Sequence, residues 1–125
     1  MDDLAARKLE QRFLTTKGKD DAQAFEILVQ LADAWHTHEY LLELAEWYEK
    51  GRGCEKNEKK AFELVEYVYN HSCVSPYDRS QEDAASALRY YLINGIGCEK
   101  DPERAQQIYY DFNDSNDRMW EMLTR

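Results

Sequence analysis

The hexapeptide Gly-x-Gly-Cys-Glu-Lys occurs twice, at 51–56 and 95–100, and its flanks repeat with it. Upstream, Leu44 and Tyr48 correspond to Leu88 and Leu92; downstream, Ala61 and Leu64 correspond to Ala105 and Ile108. A polar helix-start residue, Asn57 or Asp101, follows each copy. A glycine turn recurring between amphipathic stretches is the pattern of stacked helix hairpins, because each hairpin buries its apolar face only against its neighbours.

The apolar spacing between and around the turns is helical. A first helix near 2–16 carries Leu4, Ala5, Leu9, Phe13 and Leu14 and stops at Gly18. Asp20, with Gln23 as its capping-box partner, starts a second helix that presents Ala24, Phe25, Leu28, Leu31, Ala32 and Trp35. Thr37 is placed to cap a third helix (Tyr40, Leu41, Leu44, Ala45, Tyr48) that ends at Gly51, where glycine takes the left-handed conformation without steric cost. Asn57 caps a fourth, carrying Ala61, Phe62, Leu64, Val65, Val68 and Tyr69. After a loop at 71–79 containing Pro76, Ser80 is expected to cap a fifth helix running to Gly95. Asp101–Pro102 pairs an N-cap with proline at the first helical position and opens a sixth helix. A polar break at 113–116 then precedes a short tail helix with Met119, Trp120, Met122 and Leu123. No segment alternates with period two, so the expected class is all-α.

Length and charge narrow the function. The 125 residues make one domain with one continuous core, and no apolar run is long enough to span a membrane. The first residues are charged and amphipathic and lack a signal-peptide core, and three cysteines stand in no CxxC spacing. Both set the expectation of a reducing, cytoplasmic compartment. The net charge is −9, yet residues 1–19 hold five basic and three acidic side chains, so the acidity belongs to the rest of the chain. Such a surface repels nucleic acid, whose phosphates need clustered Lys and Arg, and favours a protein partner with a basic surface. Acidity also serves plain solubility.

The pattern Leu44, Tyr48, Gly51, Gly53, Lys60, Ala61, repeated as Leu88, Leu92, Gly95, Gly97, Arg104, Ala105, resembles the Sel1-like repeat. Leu9, Phe13, Gly18 and Ala24–Phe25–Glu26 form a degenerate first copy. The resemblance implies a short right-handed α/α superhelical solenoid of about three hairpins, near 2–36, 37–72 and 80–113, with a capping tail helix at 115–124. It also implies an adaptor role, a partner protein being held in the groove lined by the first helix of each hairpin. The family usually places a glycine after the repeat leucine, where helices approach closely; Ala45 and Arg89 stand there. Arg89 does not suit a tight contact, so the third hairpin is expected to pack differently or to end the array. Cys54 and Cys98, where the family commonly has valine, read as turn-filling residues, not a disulfide framework.

No constellation amounts to a catalytic, cofactor or metal site. His36 and His38 are two apart and face different sides of a helix. Asp111, Asn113 and Ser115 have calcium-loop spacing, but Asn116 and Met122 stand where the loop needs glycine and a bidentate glutamate. The Gly-x-Gly pairs lack the third glycine of a dinucleotide turn. No serine has a lysine three positions on, and Cys73 has only His71 nearby.

Candidate binding residues therefore come from helix faces. Glu39, Glu43 and Glu46 line one edge of the third helix with Trp47 beside them, and Arg89, Tyr90 and Ile93 occupy the matching part of the fifth. Trp47 is either an anchor for a partner or a core residue, since it aligns with Tyr91 on the buried stripe. Two functions fit: a non-catalytic adaptor binding a protein through an acidic-aromatic face, or a small acidic immunity protein that neutralises a basic toxin such as a nuclease.

Overall fold

A computed structural model describes residues 3–35, 38–72 and 79–123, and they fold as six helices in sequence. These are α1 (Asp3–Thr16), α2 (Asp21–Trp35), α3 (His38–Lys50), α4 (Glu58–His71), α5 (Ser80–Asn94) and α6 (Pro102–Leu123). Each helix packs on the next, and α3 also touches α5, so three hairpins stack into a short helical repeat solenoid. Thr37, His36, Cys73 and Pro76 lie outside the described residues, as do the side chains of Trp35, Ser115, Asn116, Met119, Trp120, Met122 and Leu123.

The two glycine turns are built identically. Gly51 and Gly95 end their helices at φ +68° and +70°. The next residue's N–H, from Arg52 or Ile96, then donates to the carbonyl of Trp47 or Tyr91 at 2.9 Å, closing the last turn. Asn57 and Asp101 return to the preceding helix through N–H donation to the Tyr48 and Leu92 carbonyls (2.9 and 2.8 Å). Their side chains accept from the Lys60 and Arg104 N–H groups at 3.0 Å, capping α4 and α6. Cys54 and Cys98 are half-buried free thiols that donate to the same Trp47 and Tyr91 carbonyls at 3.5 Å. They fill the turn and satisfy helix-end oxygens; burial pushes both thiols above the usual range.

The second glycine of each turn has a different task. Gly53 abuts the Asp21 carbonyl at the start of α2, and Gly97 abuts the Glu58 carbonyl at the start of α4, with no room for a Cβ in either place. One hairpin's turn thus seats on the first residue of the preceding hairpin's second helix. Since α2 receives Gly53 as α4 receives Gly97, α1–α2 holds the position of a repeat despite its divergent sequence. Ala24, Ala61 and Ala105, at corresponding places in α2, α4 and α6, are all buried.

The core runs through the stack in two merged clusters. Leu9, Phe13, Leu28, Leu31, Leu44 and Trp47 fill the first, and Val65, Val68, Leu88, Tyr91, Leu92 and Ile108 the second. Leu41, Tyr48 and Leu64 pack against both, which makes the interior continuous.

Two details differ from the sequence expectation. Ser80 is the first residue of α5 and is buried; Arg79 holds the N-cap position without a side-chain cap. Its guanidinium pairs instead with Glu82 at 3.2 Å. The polar stretch 113–116 does not separate a tail helix: α6 is continuous to Leu123. Asn, Asp and Ser each cost only about 0.7 kcal/mol or less in a helix, too little to break one. That continuity also removes the calcium-loop geometry, and Asp111 accepts from Gln107 at 2.9 Å, one helical turn away.

Candidate interaction groove

Stacking two hairpins sets their first helices, α3 and α5, side by side, and an open groove of about 880 Å³ lies between them. From α3 come Glu39, Glu43, Glu46 and Glu49, spaced by three and four residues along one stripe. The α5 wall presents Asp83, Ser86, Tyr90 and Tyr91. Leu42 and Ala87 supply apolar surface between the walls, over the buried Val65 of α4. Lys50 and Arg79 are the cations among the described lining residues, against five carboxylates.

The carboxylates are not equivalent. Lys17, in the turn after α1, reaches over to Glu43 at 2.7 Å, and Lys50 pairs with Glu46 at 2.7 Å within α3. Glu39, Glu49 and Asp83 form no ion pair among the described residues, although Glu49 is hydrogen-bonded to Tyr91 and Arg79 acts on Asp83 at longer range. Tyr91, at the base of the α5 wall, is held in its neutral form beyond the ordinary phenol range, first by burial and then by the negative charges of Glu49 and Glu46.

The seven residues singled out from sequence separate into two groups. Glu39, Glu43, Glu46 and Tyr90 line the groove together, Tyr90 being 54% exposed. Ile93 is 50% exposed at the edge of α5 and outside the groove lining. Trp47, by contrast, is 1% exposed. Its ring packs on Phe13 with centroids 5.7 Å apart and is covered by the Arg52 guanidinium at 4.3 Å, so it is a core residue between the first two hairpins. Arg89 turns away from the groove toward α6 and lies over the Tyr109 ring at 4.7 Å. The third hairpin accommodates it by stacking, and its buried Nε has no hydrogen-bond partner among the described residues. Glu49 and Asp83 were missed. Glu49 continues the α3 stripe by one turn and was legible there; Asp83 becomes a groove residue only when α5 is set against α3.

Other chemistry finds no support among the described residues. No group of three or more His, Cys, Asp or Glu is placed to hold a metal ion. No helix is long and apolar enough to cross a membrane.

Comparison with known families agrees with the repeat seen in the fold. Residues 38–66 and 79–110 each match the Sel1 repeat, one match on α3–α4 and the other on α5–α6. No curated protein and no solved structure matches the chain.

Proposed function

The chain is a Sel1-like repeat protein, and from that premise we propose that it is a non-catalytic adaptor that holds a partner protein in the α3–α5 groove. Sel1 repeats generally mediate protein–protein interactions. The observation that carries the choice of face is the groove itself: an apolar strip between two walls, with Tyr90 exposed on one and three carboxylates around it that form no ion pair among the described residues. Apolar and aromatic contacts in such a strip supply binding energy, while charges at the rim select the partner and speed encounter. The partner is therefore a protein with a basic patch. Neutralisation of a basic toxin is one form of the same chemistry, marked by a single tight partner and an association rate that falls steeply with salt.

The test uses isotope-labelled protein titrated with lysine- and arginine-rich amphipathic helical peptides, with acidic peptides of the same length as controls. Amide shift changes should cluster on α3 and α5 and be lost in the Glu39→Gln/Glu49→Gln/Asp83→Gln variant. Shifts confined to α2, α4 and α6, or equal response to acidic peptides, would overturn the reading.

A further inference from the structure

We infer that the groove also takes α1 of a second copy of this chain, giving weak head-to-tail self-association. The inference rests on reading the groove as a docking surface and adds a specific occupant. Leu4, Arg7, Lys8, Gln11 and Leu14 share one outward stripe of α1, with Arg12 beside it, opposite the buried Ala6, Leu9 and Phe13. The two leucines stand 64% and 61% exposed at the ends of the stripe, and the cations lie between them. Arg7, Lys8 and Arg12 form no ion pair among the described residues. The face is thus a helix with apolar ends and a basic middle, on a chain whose other residues are strongly acidic.

The groove offers the complement. Glu39, Glu49 and Asp83 form no ion pair among the described residues, Glu49 being hydrogen-bonded to Tyr91, and Leu42 and Ala87 give the groove its apolar strip. The dimensions agree: at 1.5 Å per residue, α1 is about 20 Å long and the α3 stretch 39–50 about 17 Å. Within one chain α1 is anchored to α2 through its buried side, so its outward stripe is available to another molecule. Because donor and acceptor faces differ, the contact is heterologous: each copy uses both, and assembly runs on unless it closes into a ring.

A single-helix contact sits at the small end of interface sizes, so association is weak. The net charge of −9 opposes it at long range. Near 0.1 M salt, with screening over about 10 Å, that repulsion is damped while close charge pairs survive; near 1 M, at about 3 Å, the pairs weaken too.

Sedimentation equilibrium on the full chain, up to roughly 500 µM because small interfaces are weak, tests this. The average mass should rise with concentration near 0.1 M salt and fall back to one chain near 1 M. Arg7→Gln/Lys8→Gln/Arg12→Gln and Glu39→Gln/Glu49→Gln/Asp83→Gln should each remain monomeric alone. Mixed, each brings one intact face, so they should form a 1:1 dimer and nothing larger. Circular dichroism establishes that both variants are folded. A wild-type chain that stays monomeric, or variants that associate like it, overturns the inference. If basic peptides still bind the groove of such a monomer, the docking reading stands and only self-docking fails.

Discussion

Gly53 lies against the carbonyl oxygen of Asp21 so closely that its α-hydrogen occupies the only space a side chain could take, and Gly97 repeats the relationship with Glu58. Helix hairpins in this array are registered by a turn of one meeting the helix start of another, backbone to backbone.

The five glycines, all at positive φ, should therefore differ in their tolerance of alanine. Gly18→Ala meets nothing within 4 Å, leaving only left-handed strain of about 1 kcal/mol. Gly51→Ala and Gly95→Ala add contacts of 3.1 and 3.0 Å with lysine side-chain atoms and should cost slightly more. Gly53→Ala and Gly97→Ala must displace a neighbouring helix and should cost about 3 kcal/mol or more. Urea unfolding of the five variants checks the order.

Asp21 makes the same junction sensitive to acid. Its carboxylate takes the Arg52 guanidinium at 3.1 Å and the Gly18 N–H at 2.9 Å, and these hold its pKa below the usual value, the arginine being the larger cause. A depressed folded pKa contributes stability that is present above the unfolded pKa and lost as pH falls through the folded one. The stability gap between wild type and Asp21→Asn should be widest near neutrality, begin to narrow as pH falls to about 4, the unfolded aspartate value, and close only below the depressed folded value. Denaturant unfolding across pH 2–7 measures it; a gap that persists at the acid end contradicts the assignment.

Trp47 and Tyr90 should respond oppositely to truncation. Trp47→Ala empties a site packed by Phe13 and Arg52 and should destabilise by about 3–5 kcal/mol. Tyr90→Ala removes an exposed ring and should change stability by about 0.5 kcal/mol or less, while weakening peptide binding in the groove. Thermal unfolding and peptide titration on the two proteins separate the roles.

Tyr91 links the groove to alkaline behaviour. Its phenol pKa is raised by burial and by Glu49 and Glu46, so the stability it contributes is full below the unfolded tyrosine pKa of about 10 and is lost as pH rises toward the folded value. In an ultraviolet titration its ionisation should lag that of exposed tyrosines such as Tyr90 and coincide with unfolding. Tyr91→Phe should lose less stability than wild type between about pH 9 and 11, a window spanning the unfolded tyrosine pKa.

Local chemistry was legible wherever a residue acts on its own backbone. Asn57 and Asp101 as caps, Gly51 and Gly95 as helix ends and Ala61 and Ala105 as buried repeat positions all follow from rules spanning four or five residues. Ser80 misled because serine is also small enough to be buried at a first turn, and its neighbour Arg79 starts the helix with no cap bond. Three of the five groove carboxylates, Glu39, Glu43 and Glu46, were readable from their spacing. Asp83 was not, since its relation to them exists only across two helices.

By itself, the sequence determined an all-α chain of repeated hairpins, because helix periodicity, capping and glycine turns are short-range and each copy states them again. Only the tertiary structure decided which aromatic is core and which is surface. Trp47 and Tyr90 sit on equivalent helices of successive hairpins, yet one packs beneath Arg52 and Phe13 while the other faces the groove. The same holds for the twin Gly-x-Gly turns. That both glycines bend the chain was readable, but that the second one must also admit the preceding hairpin's backbone depends on residues more than thirty positions away. Packing places those residues, and no local rule can.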